Sequence, residues 1–504
     1  MQGLTQVGGF SVAQMPSAEA IAAESKGKDK LRTLAEATKA GKIVHGDYFL
    51  QGKNIQFHAW VEDMAAKKNL LALEPASGPV ADPAATLEPL RLKLMGGLAG
   101  VFDPMLKDFL SMMKEPPNFE AYWEYLECMK AHRRGEYPKA VEHGLRAAER
   151  DPNLKQALIV TSLDYWQQGQ YEKADECLQE VEKSRADLSP SERILLDWLQ
   201  ALVRGNLEAE LRSIRQLVSV QPSWTWKYTL ASTAYKNNFP QEALNALAGY
   251  DPYSEAWRDW SRHYWRLLAT ACHMLGNHKR ELIEARRGRA QFPELLSILD
   301  KEVGSLAALG QTKNLQKLFE ESMVLPPMSG YSPGDIMLRA GRELRAHGFK
   351  DDADQVLNQA MQWFEGRPDQ EKAIADNRYS QARTLYVLEK WAEAKVLFEG
   401  LRNDAPDNID YLGYMGAIAA HLGNKEEAQK ISKELEDDKR PYLYGAPVFW
   451  RARIAALLGD KEGGVNLIRQ ATKQGYRYDY LHPCEDFECL ADYPPYIQLM
   501  KPKG

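Results

Sequence analysis

The residues with the most obvious metal-binding chemistry lie near the C-terminus, in the stretch "YLHPCEDFECL". His482, Cys484, Glu485 and Cys489 offer imidazole, thiolate and carboxylate groups, which are the ligands that zinc prefers. A zinc site built on such a cysteine pair usually needs a second pair of ligands elsewhere in the chain, and the sequence has no matching pair. We therefore predict no metal and no cofactor, and a terminal cap at this position instead.

A second candidate is the aromatic stretch "EAWRDWSRHYWRLLATACH", which also carries the histidines His263 and His273. Its tryptophans and tyrosine could form an aromatic box around a ligand. However, aromatic residues spaced by three and by seven or eight positions are typical of the buried stripe of an α-helix. The spacing therefore favours a core helix, with the two histidines facing a groove or solvent.

Catalytic motifs are missing from the sequence. It contains no phosphate-binding glycine loop, no zinc-protease motif, no nucleophile elbow and no kinase catalytic loop. An acid–base pair could be assembled from residues such as Asp300, Asp335 or His273, but nothing in their spacing supports such a pair. We therefore predict that the protein is not an enzyme.

Composition gives no sign of nucleic-acid or membrane binding. The 504 residues carry a formal net charge of -6, whereas a general nucleic-acid binder needs a basic face to neutralise phosphates. No apolar run approaches the roughly 20 residues that span a bilayer, and the first residues do not resemble a signal peptide. The five scattered cysteines do not suggest a disulfide framework. We expect a cytoplasmic protein that binds no nucleic acid and does not insert into a membrane.

Most of the chain is organised as a repeat. The stretch "RRGEYPKAVEHGLRAAERDPN" is echoed by "QQGQYEKADECLQEVEKS" and by "LEKWAEAKVLFEGLRNDAP". A small residue or turn former recurs every 33 to 41 residues, at Gly135, Gly169, Gly205, Asn238, Gly276, Gly310, Gly348, Glu389, Gly423 and Gly459. Five positions later, small residues follow at Ala140, Ala174, Ala243, Ala353, Ala394 and Ala428.

Each position of this repeat has a physical role in a pair of helices. A residue that tolerates a left-handed backbone ends the first helix at low energetic cost. Alanine at the crossing point lets the two helix axes approach closely, and proline after the second helix stops it. No single pair can bury its apolar face alone, so the pairs must stack on one another.

These residues resemble the tetratricopeptide (TPR) repeat family over about residues 118–475. The match to the second half of the family's motif is formed by Gly135, Tyr137, Ala140, Ala147 and Pro152. The resemblance implies a mainly α fold, a TPR-like α-solenoid of about ten helix pairs. We place the array at 116–475. Residues 476–504 would then form a C-terminal cap on the last repeat through Phe487, Leu490 and Tyr496.

The same resemblance implies a binding surface, because the first helices of such arrays line a concave groove where partners bind. The family's inward-facing positions correspond in this chain to Tyr122, Tyr125, Tyr228, Tyr235, Lys236, Arg266, Arg342, Arg345, Tyr379, Arg383 and Tyr386. Aromatic and arginine side chains are enriched at interface hot spots, so we expect a peptide or protein partner, preferably acidic. Each residue could instead pack between neighbouring repeats.

Residues 1–115 follow a different pattern. "GGFSVAQ" predicts a short strand, "KDKLRTLAEATKAG" a helix, and "KIVHGDYFLQ" with "NIQFHAWVED" a β-hairpin around "GKN". A third extended run, "NLLALEP", precedes a helix at "TLEPLRLKLMGGLAGVF". Strands and helices therefore mix within one small α/β domain.

The order of these elements resembles the TolB-like accessory domain of bacterial signalling proteins. The stretch that carries the resemblance is "LAEATKAGKIVHGDYFLQGKNIQFHAWVEDMAAKKNLLALEPASGP". In that family the domain lies between an effector (a kinase, a cyclase or a winged-helix DNA-binding domain) and a repeat array. The family's domain usually opens with another strand and helix, which would lie upstream of Met1. The resemblance therefore implies a truncated domain whose sheet has an unpaired edge strand.

Two functions are compatible with these features. The first is a non-catalytic protein–protein interaction scaffold that binds a peptide or protein in the concave groove of the TPR array. The alternative is the sensory or regulatory C-terminal part of a larger bacterial signalling protein whose effector domain lies upstream of Met1. In relatives with a membrane-tethered effector, this region can follow a transmembrane helix and be extracytoplasmic. The DNA sequence upstream of Met1 distinguishes the two functions.

Overall fold

The computed structural model describes residues 30–102, 117–254, 258–328 and 330–504. The chain divides into two compact units, Met1–Leu199 and Gln200–Gly504. Each unit contains its own clusters of buried apolar side chains. The strand predicted at "GGFSVAQ" lies outside the described residues.

The first unit opens with helix α1 (Lys30–Thr38) and a four-stranded antiparallel sheet. The strands are β1 (Lys42–Gln51), β2 (Asn54–Asp63), β3 (Lys68–Ala72) and β4 (Ala76–Pro79). Strand β2 pairs with β1 along its full length, with β3 near one end and with β4 near the other. Gln51 pairs with Asn54, so the β1–β2 loop has two residues, and Gly52 supplies a positive φ of 61°. The predicted hairpin is confirmed.

One face of this sheet is packed, and its outer strand is exposed. Ala59, Leu73 and Leu90 form a small core where helix α2 (Pro83–Phe102) covers β2. Among the described residues β1 pairs on one side only, and its Tyr48 and Leu50 side chains are 65 % and 63 % exposed. The truncation that the TolB-like resemblance implies stays a prediction.

Ten consecutive helix pairs follow in the described residues. They are α3 (Phe119–Arg134) with α4 (Tyr137–Arg150), α5 (Lys155–Gln167) with α6 (Tyr171–Glu182), α7 (Pro190–Val203) with α8 (Leu207–Val220), α9 (Trp224–Lys236) with α10 (Pro240–Leu247), α11 (Arg258–Met274) with α12 (His278–Gln291), α13 (Leu296–Ala308) with α14 (Thr312–Ser322), α15 (Pro333–Ala346) with α16 (Lys350–Glu365), α18 (Ala375–Val387) with α19 (Trp391–Asp404), α20 (Ile409–His421) with α21 (Lys425–Asp437), and α22 (Ala446–Leu457) with α23 (Lys461–Lys473). The short helix α17 (Asp369–Lys372) precedes the eighth pair. The predicted fold class, mainly α with about ten TPR-like helix pairs after a small sheet domain, is confirmed.

All ten predicted turn positions have a left-handed backbone. Their φ angles lie between 60° and 89°, at Gly135, Gly169, Gly205, Asn238, Gly276, Gly310, Gly348, Glu389, Gly423 and Gly459. Asparagine tolerates this conformation better than most residues, and Arg345 holds Glu389 in place through a 2.8 Å hydrogen bond. The alanines five positions after the turns are fully buried, as expected for helix crossing points, at Ala140, Ala174, Ala243, Ala353, Ala394 and Ala428.

The core runs between the helices of neighbouring pairs. In the second unit one cluster lies mainly between α18 and the C-terminal elements and includes Met274 of α11 and Met361 of α16, and another extends from α12 to α16. The C-terminal elements are α24 (Tyr478–Leu481), a 3₁₀ helix (Glu485–Leu490) and α25 (Pro494–Met500). Within the described ranges, no helix combines the length and the apolar character that crossing a bilayer requires.

Candidate functional site

Two of the predicted groove residues lie inside the first unit. Tyr122 and Tyr125, both on α3, are 3 % and 0 % exposed and pack in the core with side chains of α4 and α5. They stabilise the first helix pair and present no surface that a partner could contact. Sequence periodicity could not separate the two roles, because groove-facing and core-facing positions are neighbours on one helix.

The other nine predicted residues lie on the first helices of their pairs in the second unit, on α9, α11, α15 and α18. Residues 476–504, which we call the C-terminal segment, run across this surface. The segment forms hydrogen bonds with Tyr235, Arg342, Arg345 and Tyr386. Part of the predicted groove therefore holds a segment of the same chain.

Two arginines of α15 bind acidic side chains of the C-terminal segment. Nη2 of Arg342 donates to the Glu485 carboxylate and to the carbonyl of Pro483, each at 3.0 Å. Nε of Arg345 donates to the Glu488 carboxylate at 2.8 Å. The two arginine side chains are only 20 % and 17 % exposed, so these charge-assisted bonds are less screened than ordinary surface pairs.

Asp486 lies at the centre of a buried polar network. Its carboxylate accepts hydrogen bonds from the Tyr386 hydroxyl at 2.7 Å and from Nε of Arg453 at 2.6 Å. Nε2 of His421 lies 3.0 Å away. Burial raises the pKa of the Asp486 carboxyl, but Arg453 and His421 lower it more, so the net shift is downwards. The carboxylate is therefore ionised, and its partners offset the loss of hydration.

The two ends of the C-terminal segment contact the fourth helix pair. Arg477 donates to the hydroxyl of Tyr235 at 2.7 Å. Nδ2 of Asn238, the turn residue of that pair, donates to the carbonyls of Met500 and Lys501 at 3.3 and 2.9 Å. The segment thus follows the tenth pair in sequence and also binds a pair more than two hundred residues earlier.

The apolar side chains of the segment pack on the last helix pairs. Phe487 and Leu490 are buried with Phe449 of α22 in one cluster, and the ring centres of Phe487 and Tyr496 are 5.9 Å apart. The residues first considered as metal ligands do not share a centre. Glu485 is bound to arginines, and burial raises the pKa of the Cys484 thiol to about 12.

Three further predicted groove residues have partners within the array. The Arg383 guanidinium lies 5.4 Å from the ring centre of Tyr379, and that ring packs 6.1 Å from Tyr414. Nζ of Lys236 lies 3.7 Å from the buried carboxylate of Glu210. Burial lowers the pKa of Lys236, and Glu210 offsets the shift only in part. In this conformation these residues contribute to packing between neighbouring pairs.

A cationic surface remains around Arg266. We call Tyr228, Arg266, Lys301, Tyr331 and Arg339 the Arg266 patch. Arg266 is exposed, and its guanidinium interacts with the hydroxyls of Tyr228 and Tyr331. The Arg339 guanidinium lies 4.1 Å from the ring centre of Tyr331. The patch therefore combines cations with flat aromatic surface.

Asp300 and Asp335, the two aspartates considered in the sequence analysis as catalytic candidates, border this patch and have partners there. Asp300 lies 3.1 Å from Arg339 and 3.3 Å from Lys301. Asp335 forms a capping box with Ser332 and accepts a 2.6 Å hydrogen bond from Ser380. Arg339 and Lys301 lower the pKa of Asp300 more than burial raises it, so this group is an ionised acceptor. That the protein is not an enzyme stays a prediction.

Sequence reasoning missed three members of the patch, Lys301, Tyr331 and Arg339. A signal for Arg339 was present, because Arg339, Arg342 and Arg345 follow one another at intervals of three on α15 and share a helix face. Tyr331 precedes α15 in a loop, where helix periodicity carries no information.

Comparison with known proteins gives matches at the level of structure only. No protein-family model and no curated protein sequence matches the chain. A tetratricopeptide repeat protein from Parabacteroides merdae ATCC 43184 matches at 12 % identity with a TM-score of 0.30, over 62 % of this chain and 97 % of that chain. A human IFIT1 dimer with m7Gppp-AAAA matches at 14 % identity with a TM-score of 0.29, over 74 % of this chain and 80 % of that chain.

TM-scores of this size support neither a shared overall arrangement nor a shared ligand. The TPR-like character of this chain is carried by its own helix pairs and turns. The expectations of a TolB-like domain and of no nucleic-acid partner stay predictions.

Proposed function

We propose that this protein is a non-catalytic interaction scaffold whose second unit binds an acidic peptide or protein segment. The observation that carries the proposal is the binding of Glu485, Asp486 and Glu488 by arginines of the array. The binding of the chain's own acidic segment supports carboxylates as the ligand chemistry of the first-helix surface. An external partner would bind at the Arg266 patch. Arg339 of this patch lies on α15 beside Arg342, and the patch extends from there to Arg266 on α11 and Lys301 on α13.

The composition of the Arg266 patch supports an acidic peptide as the ligand. Guanidinium groups bind carboxylates with planar, paired donors, and tyrosines supply flat apolar contact area. Asp300 and Asp335 lie among the cations, so a backbone of closely spaced phosphates would meet repulsion there. Peptide carboxylates that are spaced more widely can contact the arginines and avoid these two groups.

The proposal predicts that reversing one charge in the patch weakens peptide binding. Fluorescence anisotropy would measure binding of labelled peptides with two to four glutamates among apolar residues to the full-length chain. We expect Arg266→Glu to lower the affinity of the best peptide at least about tenfold, because a charged hydrogen bond is replaced by repulsion. Binding should also weaken as salt is added.

The matched control is Arg212→Glu, which makes the same charge change at an exposed position of α8. This variant should bind the peptide like the wild type, and both variants should keep the wild-type thermal unfolding temperature. Equal affinities for wild type and Arg266→Glu would contradict the proposal. Tighter binding of a single-stranded RNA oligonucleotide than of any peptide would also contradict it.

A second candidate function is the regulatory C-terminal part of a larger bacterial signalling protein with a TolB-like domain. The observation that favours it lies in the first unit, where the tight β1–β2 hairpin belongs to a small sheet whose described residues leave β1 paired on one side. Such an edge can accept a strand from another domain. The DNA upstream of Met1 tests this function. A continuous reading frame that encodes an effector supports it, and a stop codon directly upstream contradicts it.

We also propose a cytoplasmic location. All five cysteines have free thiols, and Cys128, Cys272 and Cys484 are buried. Thiols that remain reduced are typical of a reducing compartment. Fractionation of cells that express the full-length gene would test the location.

A further inference from the structure

The side chains of three histidines and two glutamates lie close together in the second unit, near the C-terminal ends of α11 and α15 and the start of α12. His273 lies in the last turn of α11 and His278 is the first residue of α12, so the turn between these helices brings the two side chains together. Glu281 follows His278 by three residues on α12, on the same face. Glu343 and His347 come from the last turn and the C-terminal cap of α15.

The spacing of three of these side chains is close to that of a metal site. Nδ1 of His273 and Nδ1 of His278 each lie 3.0 Å from Oε2 of Glu281. One ligand atom from each of the three residues lies within 4.8 Å of the others. Ligand atoms around one tetrahedral zinc ion, each about 2.0–2.1 Å from it, are about 3.3–3.4 Å apart. Small side-chain shifts would therefore be enough to admit an ion.

The other side of the His273 ring is held by a second carboxylate. Nε2 of His273 lies 3.2 Å from Oε1 of Glu343, and the same oxygen lies 2.9 Å from Nε2 of His347. A neutral imidazole has one nitrogen lone pair and one N–H group. His273 can therefore ligate through Nδ1 while Nε2–H donates to Glu343. Metal-bound histidines are commonly oriented by such a carboxylate.

The charges in this cluster also favour a cation. The Glu281 and Glu343 side chains are only 3 % and 13 % exposed. Within the described part of the chain, histidines pair with both carboxylates. A divalent ion at this position would neutralise both carboxylate charges.

A fourth histidine lies beside the cluster, on the C-terminal segment. Nε2 of His482 is buried and has no hydrogen-bond partner among the described residues. His482 therefore brings an imidazole nitrogen without a hydrogen-bond partner in the described part of the chain next to the cluster.

We propose that His273, His278 and Glu281 bind one divalent transition-metal ion of the zinc class, with Glu343 orienting His273. Two imidazoles and one carboxylate form a ligand set that zinc uses, whereas calcium and magnesium prefer oxygen ligands. The ion would connect the fifth helix pair, through Glu343, to α15 of the seventh pair. This site is independent of the proposed peptide-binding function, because it uses none of the residues of the Arg266 patch.

Zinc titration of the full-length chain, produced without a histidine tag and treated with a chelator, tests the site. Calorimetry should give one zinc ion per chain, and zinc should raise the thermal unfolding temperature. His278→Gln keeps a polar contact with Glu281 but lacks the ligand nitrogen, so we expect its zinc affinity to fall at least about 100-fold. Glu343→Gln removes only the orienting carboxylate, and we expect a loss of about 10- to 100-fold.

His143→Gln is the control, because His143 pairs with a single glutamate, Glu124, at 2.8 Å in the first unit. This variant should bind zinc like the wild type. If His278→Gln does not fold, Glu281→Gln tests the same ligand set. Absence of zinc binding by the wild type would overturn the proposal. Wild-type affinity in His278→Gln, with the loss in His347→Gln instead, would overturn the ligand assignment.

Discussion

Asp486 shows how one residue can hold several helix pairs together. Its carboxylate binds Tyr386 of α18, His421 of α20 and Arg453 of α22, so three consecutive pairs share one acceptor. The group is 3 % exposed, and an ionised carboxylate with fewer partners would be strongly unfavourable there. The negative charge is therefore part of the stability of the second unit.

Asp486→Asn should lower the free energy of unfolding by about 3–5 kcal/mol at pH 7, because it removes one partner of a buried ion pair. The pKa of Asp486 is lower in the folded chain than its ordinary value of 3.8. The unfolded chain therefore binds more protons below pH about 4, and the stabilisation by this charge is lost as the pH falls. Urea denaturation at pH 7, 4 and 3 should show that the difference in free energy of unfolding between wild type and variant becomes smaller as the pH falls.

Asp492→Asn is the control for this measurement. Asp492 pairs with Lys461 at the surface, where its side chain is 84 % exposed, and the loss of this solvent-screened pair should leave the free energy of unfolding unchanged within error at each pH. A gap for Asp486→Asn that is as large at pH 3 as at pH 7 would show that shape, and not charge, makes this residue important.

Helix α15 contributes side chains to the Arg266 patch, to the contact with the C-terminal segment and to the histidine cluster. Arg339 belongs to the Arg266 patch, Arg342 binds the C-terminal segment, and Glu343 orients His273. The start of α15 is fixed by a capping box, in which the backbone N–H of Ser332 donates to the Asp335 carboxylate at 2.9 Å. The first turn therefore sets the position of all three side chains.

Ser332→Ala should destabilise the second unit by about 1 kcal/mol, because the backbone N–H of Asp335 in the first turn of α15 loses its acceptor, the Ser332 hydroxyl. The control is Ser219→Ala, at an exposed position in the last turn of α8, which should stay within about 0.5 kcal/mol of wild type. Urea denaturation of both variants measures the difference. Equal effects would contradict the role of the cap.

The elements themselves could be predicted because their signals are local. A left-handed turn residue and a buried alanine recur at nearly constant intervals, and all the turns that were predicted have positive φ. The β-hairpin was predictable for the same reason, since Gly52 and its neighbour supply the turn between two alternating strands.

The site could be predicted only in part, because it depends on contacts between distant residues. The arginines of α15 were expected to bind carboxylates, but Arg342 and Glu485 are 143 residues apart, and no local pattern joins them. The histidine cluster could not be predicted for the same reason, since His347 lies far along the chain from His273. Residues that pack in the core and residues that could bind a partner also lie side by side on one helix. For this reason the buried Tyr125 was expected in the groove.

Within the second unit, the first and last helix pairs are in contact. The hydroxyl of Tyr444 donates to the carbonyl of Val203 at 2.9 Å, and the backbones of Gly205 and Gly475 pack against each other. Asn238 binds the last residues of the chain. An open repeat array transmits stability only between neighbours, whereas contacts between its ends couple distant pairs. We therefore expect this unit to unfold more cooperatively than an open array.

Gly475→Ala tests this coupling. A Cβ at Gly475 would lie 2.6 Å from the carbonyl oxygen of Gly205 and 2.9 Å from its Cα, and φ at Gly475 is 103°. Gly459→Ala is the matched control, because its φ is 89° but its Cβ would meet no atom within 4 Å. Both variants should lose about 1–2 kcal/mol from backbone strain, and Gly475→Ala should lose more. Hydrogen exchange decides between local and distant effects. The amides of Gly205 and Asn206 should exchange faster in Gly475→Ala but not in Gly459→Ala, and equal protection in both would show that the ends are not coupled.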